Sequence, residues 1–313
     1  VARKLIIDLD PGIGDAVAAV LAMLDPDLDV LALTATAGAV SGKIATRNLH
    51  AIVAQVDPPK WPRIGSAPAP EAPGWQTPEC ATFLAPLNGP TGLGDVEIFS
   101  PELHHRHESP KVLVDLVRAH PHQVHLLTLG PLTNVAAACD RAPEFLELLG
   151  GFVCLGGSIS AGGDITAAAE TNFFLDPDAA QSVFRSPEAK TLVPLDVANT
   201  TVITYENFNR LSVGHSPATA FLKQLLPFYF RAHHQFLAME GVWLREVVAL
   251  AAIARPDLFR LQPMQVDVEI RGDLTRGATV CERRPQFSDR SNTAVAVEAD
   301  PQGVIDYLTL LLR

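Results

Sequence analysis

The chain reads as α/β, with one open, mainly parallel sheet flanked by helices and a small antiparallel addition near its C-terminus. Two patterns and one turn carry that prediction. Short apolar runs of strand length alternate with helix-like stretches from Lys4 to Pro194, as βαβ units do around a parallel sheet. Beyond Asp196 the pattern becomes helical and then strand-rich. The turn is Asp8-Leu9-Asp10-Pro11-Gly12-Ile13-Gly14-Asp15, between the first strand and the first helix, where open α/β folds bind ligands.

The elements follow in order. Strand-like Lys4–Asp8 leads into helix-like Asp15–Leu24, Asp29–Ala35 into Lys43–Val56, His125–Thr128 into Leu132–Ala138, and Gly151–Leu155 into Pro177–Phe184, before a strand at Thr191–Pro194. Asp57 to Pro78 holds seven prolines in twenty-two residues and is predicted to be loop, as is Asn88–Asp95. Both lie inside the domain, because strand-like runs resume after them. Helices are predicted at Pro217–Leu226 and Phe228–Met239, divided by Pro227, and at Arg245–Ala254. Strands follow at Val266–Ile270 and Thr293–Val297, with Gly272-Asp273 and Arg276-Gly277 marking a hairpin or meander between them. No internal repeat divides the chain, so one domain over residues 1–313 is expected.

With 48% hydrophobic residues the chain can bury a sizeable core. Its 24 Lys and Arg against 35 Asp and Glu give a formal charge of −11. That charge disfavours nucleic acid or an anionic membrane as the main partner. Cys80, Cys139, Cys154 and Cys281 are scattered without metal-ligand spacing and are expected to be free, buried thiols of a cytoplasmic protein. No leader-like or membrane-length apolar segment is seen, so a soluble, unprocessed chain is expected.

The acidic turn is no phosphate cradle, since such loops rely on backbone N–H groups and usually a Lys. Asp8, Asp10 and Asp15 are hard oxygen donors suited to Ca²⁺ or Mg²⁺. A second reading is purely structural, with Asp15 capping the helix and Asp8 satisfying turn amides.

Asp8 to Ala16 resembles the DxDPGxDDA signature of the inosine-uridine-preferring nucleoside hydrolases. Thr34-Ala35-Thr36-Ala37-Gly38, Ala45-Thr46-Arg47-Asn48, Gly92-Leu93-Gly94, Gly130-Pro131-Leu132-Thr133-Asn134, Gly156-Gly157, Ala168 to Asn172 with Asp176-Pro177, Leu195-Asp196-Val197 and Leu274-Thr275-Arg276-Gly277 look like family segments in family order. The resemblance implies an enzyme, usually a homodimer or homotetramer, that hydrolyses the N-glycosidic bond of a nucleoside or related N-riboside. It further implies a Ca²⁺ held by Asp10, Asp15, the main-chain oxygen of Thr133 and Glu246, with Asp10 as the base that activates water. Asp8 and Asn134 would support that shell, Asn134 alternatively capping the following helix. Glu170 and Asn172 would contact the sugar, their spacing of two putting both on one side of an extended segment.

The pattern also shows departures. Gly14 stands where the family has the second Asp of its pair, Ala39 where it has Asn, Asp164 where it has Asn, and Arg245-Glu246 where it has His-Asp. Losing polar groups at Gly14 and Ala39 predicts weak discrimination at the sugar's 2′ position. Arg245 cannot cycle a proton near neutral pH. His233 and His234 are therefore substitutes to weigh beside it on the leaving-base side, Tyr229 and His233 lying four apart on one helix face. His233 and His234 read equally well as solvated helix surface, and His104, His105 and His107 as an exposed loop. These departures leave a non-catalytic nucleoside- or sugar-binding paralogue as the alternative.

Overall fold

The computed structural model describes residues 2–68, 77–96, 107–211, 216–284 and 291–312, apart from the side chains of Cys80, Ala81 and Leu211. His104, His105 and part of the proline-rich stretch lie outside the described residues. In chain order the elements are β1 (Arg3–Leu9), α1 (Ile13–Leu24), β2 (Leu28–Ala35), α2 (Gly42–Val56), β3 (Arg63–Ser66), α3 (Pro78–Asn88), β4 (His107–Glu108), α4 (Ser109–Ala119), β5 (Val124–Thr128), α5 (Thr133–Arg141), β6 (Gly151–Leu155), α6 (Thr171–Leu175), α7 (Pro177–Arg185), β7 (Thr191–Val193), α8 (Leu195–Ala198), β8 (Val202–Thr204), α9 (Tyr205–Leu211), α10 (Pro217–Leu237), β9 (Gly241–Trp243), α11 (Arg245–Ala254), β10 (Phe259–Val268), β11 (Thr279–Glu282), β12 (Thr293–Ala299) and α12 (Pro301–Leu311).

One sheet runs β11-β10-β12-β7-β6-β5-β1-β2-β3-β4, and β8 pairs with β9 apart from it. The strands from β12 through β7 to β4 are parallel, whereas β10 is antiparallel to both β11 and β12. This is the predicted fold class, including the antiparallel addition. Leu5, Ile7 and Leu9 of β1 pack into the core on one face and Ile6 into the core on the other. A strand covered on both sides must be apolar along its length. The polar residue Asp8 is consequently exceptional, and it leads into the turn at the strand's C-terminal end.

Three departures from the expected bounds have a clear physical reason. Arg63–Ser66 forms a strand inside the stretch predicted as loop, because these four proline-free residues pair with the edge of β2 at Ala32–Thr34. Gly65 is needed there, since a Cβ would meet the Ser109 backbone at 2.8 Å. The two helices predicted around Pro227 are one, α10, with Pro227 inside it. An interior proline costs about 3 kcal/mol, offset by a buried face that continues through Leu225, Leu226, Tyr229, Phe230 and His233. The strand predicted at Val266–Ile270 begins at Phe259, and Glu269 instead opens the turn, its carboxylate accepting from the N–H groups of Arg271 and Gly272. Gly277, at φ +84°, closes that hairpin.

Among the cysteines described, Cys154 is buried and Cys139 and Cys281 are partly so, all three as free thiols. No helix among the described residues is long and apolar enough to cross a membrane.

Candidate active site

β1 sits between β5 and β2, so the chain leaves it in opposite directions and opens a crevice at the strands' C-terminal ends. A cavity occupies this place. It brings together Asp10, Asp15, Glu170, Asn172, Tyr229, His233, Arg245 and Glu246, eight of the residues singled out in the sequence.

The floor is acidic. Asp10 follows β1 and accepts the Ala39 N–H at 2.6 Å. It fits only between glycines, because a Cβ on Gly38 would lie 2.6 Å from its Cγ and one on Gly130 would lie 2.5 Å from its Oδ1. Asp15, in the first turn of α1, accepts the Gly12 N–H through Oδ2, while its Oδ1 is buried without a partner. The capping reading thus accounts for one oxygen and leaves the other. Glu246, in the first turn of α11, also has a buried, unpartnered Oε2. Burial pushes the pKa values of Asp10, Asp15 and Glu246 upward, and mutual repulsion adds to the shifts of Asp10 and Asp15. Three buried carboxyl groups lining one cavity, two of them with an oxygen that has no donor, suit a cation. No three Asp, Glu, His or Cys side chains among the described residues form a ready-made cage. The fit therefore rests on oxygen chemistry and the unpartnered atoms.

Asp8 is fully buried and does not satisfy turn amides. Its Oδ1 accepts from the Thr34 hydroxyl at 2.5 Å and the Asn134 amide at 2.7 Å, and burial raises its pKa to about 7. Asn134 donates to the Ala35 carbonyl as well, tying β1 to β2, and does not cap α5, whose N-cap is Leu132. Thr133 is not brought into the cavity: it starts α5, and its hydroxyl donates to Asp176 at 2.6 Å. The residue of this turn that lines the cavity is Leu129, whose carbonyl accepts from Asn172 at 2.7 Å.

The segment with Glu170 and Asn172 is not extended. Glu170 caps α6, its carboxylate accepting from the N–H groups of Asn172, Phe173 and Gly157, and Asn172 lies in the helix's first turn. Gly157 donates from the left-handed region at φ +64°, a conformation glycine adopts freely. Burial, and then the nearby Asp164, raise the Glu170 pKa. Asn172 also donates to the Leu155 carbonyl, so its amide joins the ends of β5 and β6.

The rim is aromatic and basic. Arg245 pairs with Asp164, donates to Asn199 at 2.7 Å and lies over the Trp243 ring at 4.8 Å. Asp164 does not line the cavity; its other oxygen accepts the Thr171 N–H and hydroxyl, joining the starts of α6 and α11. The two histidines part company. His233 is buried against Tyr229 and Trp243 and donates from Nδ1 to the Tyr229 carbonyl, and burial lowers its pKa to about 4. His234 points outward, 3.4 Å from Glu240. Solvated surface thus describes His234 and His107, not His233. Trp243, Phe83 and Asn88 also line the cavity and were missed from the sequence. Asn88 accepts the Ile13 N–H at the start of α1, a contact across 75 residues that no local pattern announces.

The family model for inosine-uridine preferring nucleoside hydrolases matches residues 5–306. The chain is similar to uridine nucleosidase 1 of Arabidopsis thaliana, with 32% identity over 98% of this chain and 92% of the relative. It is 33% identical to the inosine-uridine preferring nucleoside hydrolase of Leishmania major, over 95% and 93% of the two chains. Its fold matches the purine-preferring ribonucleoside hydrolase from Gardnerella vaginalis with a TM-score of 0.89 and 28% identity, over 99% and 98% of the two chains. With a crevice of carboxylates at the end of β1 and a family match across nearly its whole length, the chain belongs to the inosine-uridine preferring nucleoside hydrolases, N-glycosyl hydrolases that use a divalent metal ion.

Proposed function

We propose that this chain is a Ca²⁺-dependent hydrolase that splits a nucleoside, or a closely related N-riboside, into base and free sugar. The observation that carries the proposal is the pair of buried, unpartnered oxygens, Asp15 Oδ1 and Glu246 Oε2, on residues that line one cavity with Asp10. Asp10, Asp15 and Glu246 are the side chains that would hold the ion. The fourth oxygen expected at Thr133 is reassigned to the Leu129 carbonyl, which belongs to a lining residue. Ca²⁺ bound there would gather the sugar diol and a water and lower the water's pKa.

The chain's own residues do the rest. Asp10, anchored through Oδ2 by Ala39, is the base for the attacking water. The charge of Asp10, Asp15 and Glu246 favours an oxocarbenium-like transition state. Glu170 and Asn172 contact the sugar with whatever capacity their backbone bonds leave. At the rim, Asp164 holds Arg245, whose charge stabilises a departing anionic base. Tyr229 and neutral His233 wall that end of the cavity. The net charge of −11 supports a small-molecule substrate rather than nucleic acid.

The test is a panel of nucleosides and N-glycosides assayed for free base and reducing sugar, with and without chelator, beside measurement of bound Ca²⁺. Chelator-sensitive release of both products is expected. Binding of nucleosides without product would favour the non-catalytic paralogue instead. Cytoplasmic location and homodimeric or homotetrameric assembly belong to the same proposal, the latter checked by light scattering.

A further inference from the structure

Two departures from the family signature, Gly14 and Glu246, occupy one place in space. A Cβ built on Gly14 would lie 2.6 Å from Glu246 Oε1 and nearer still to Cδ and Oε2. No side chain at position 14 coexists with the present position of that carboxylate. A glutamate reaches one methylene further than an aspartate, and here the extra reach carries it into the volume position 14 leaves empty. Its Oε2 ends there closed to solvent and without a donor, in a residue that lines the cavity. The neighbouring Arg245 does not satisfy it, being committed to Asp164 and Asn199.

We infer that Gly14 and Glu246 act as one specificity unit, in which the glycine positions the longer carboxylate so that Glu246 accepts a hydrogen bond from one of the vicinal ribose hydroxyls. This deepens the proposed function and rests on the cavity being the nucleoside site. It reverses the weak 2′ discrimination expected from Gly14 and Ala39, because the missing acceptor is supplied from another helix.

The experiment compares the wild type with E246D, G14A, G14A/E246D and G14D/E246D. Each is assayed for kcat/KM on a ribonucleoside and on its 2′-deoxy and 3′-deoxy analogues, with Ca²⁺ affinity by calorimetry and Tm as readouts independent of turnover. Wild type is expected to prefer the ribonucleoside over one deoxy analogue by about 10⁴-fold, as a site built around a hydroxyl does. E246D should bring that preference down to about 10²-fold or less, and G14D/E246D should restore at least tenfold of it. G14A should weaken Ca²⁺ binding and kcat/KM by tenfold or more, and G14A/E246D should recover Ca²⁺ affinity, a rescue that mere damage to α1 would not allow. If G14A does not fold, the E246D and G14D/E246D pair decides. Ribonucleoside cleavage with equal rates on both deoxy analogues would overturn the inference and leave the proposed function standing. Absence of cleavage of any nucleoside by wild type would overturn the proposed function itself.

Discussion

The floor and the rim of the cavity solve opposite electrostatic problems. On the floor, Asp10, Asp15 and Glu246 crowd like charges and leave oxygens without donors. At the rim, the cation Arg245 is engaged by Asp164, Asn199 and Trp243. The floor is therefore incomplete without a ligand, whereas the rim is already satisfied. A region of unspent charge is built to bind, and a neutralised one to hold shape and select. The rim's departures from the family signature look like exchanges in this light: Arg245 for His comes with Asp164 for Asn, and the two form an ion pair.

The largest effect should come from breaking the floor. Asp10→Ala removes both a charge and the candidate base, and turnover should fall by about 10³-fold or more together with loss of bound Ca²⁺. Full metal content and activity in that variant would end the assignment.

Of the two basic side chains described at the rim, a guanidinium such as Arg245 does not cycle a proton near neutral pH and burial keeps His233 neutral there. Activated leaving groups such as nitrophenyl ribosides should then be cleaved about 10²-fold faster than purine nucleosides. His233→Ala should change either rate by less than about fivefold. A large, selective loss of natural-nucleoside cleavage in His233→Ala would make His233 the leaving-group acid and erase the contrast between the two regions.

The ion pair itself is a smaller term. The Arg245 and Asp164 side chains are 17% and 9% exposed. Removing one partner leaves the other charge poorly solvated, so Arg245→Met and Asp164→Leu should each lower stability by about 2 kcal/mol. The double variant should lose less than the sum of the two. Additive losses in chemical denaturation would show that the residues are not coupled.

The smallest effect concerns acid. His233 titrates near 4 in the fold, against about 6.5 unfolded. The unfolded chain therefore takes up the proton first, and the folded state loses stability as pH falls through that window, by up to about 3 kcal/mol. Stability referenced to this group is complete above pH 6.5. His233→Phe should flatten the stability curve between pH 6.5 and 4, while unchanged acid sensitivity would show that His233 keeps a solvated path for its proton.

The parallel core was legible because period and run length are local properties. Gly151–Leu155 and Arg245–Ala254 match their predicted bounds. Arg63–Ser66 was hidden because four residues among prolines become a strand only when β2 offers an edge. The division at Pro227 failed because packing of a buried face outweighed a local penalty. In the site, the acidic turn declared itself by residue type. Thr133 was expected in the metal shell, but motif order cannot say which carbonyl of Leu129 to Thr133 faces the cavity, and the lining residue of that turn is Leu129.

By itself the sequence determined the α/β class, the placing of three carboxylates beside the first strand's end, and the family. Those follow from interactions between residues a few positions apart and from motifs in linear order. Only the tertiary structure decided that Glu246 fills the space of Gly14, that Arg245 is neutralised by Asp164, and that His233 faces the cavity while His234 does not. The physical reason is distance along the chain. Positions 14 and 246, or 164 and 245, meet only after the sheet has stacked its crossovers, and steric exclusion and charge pairing act at a few ångströms, whatever the separation in sequence.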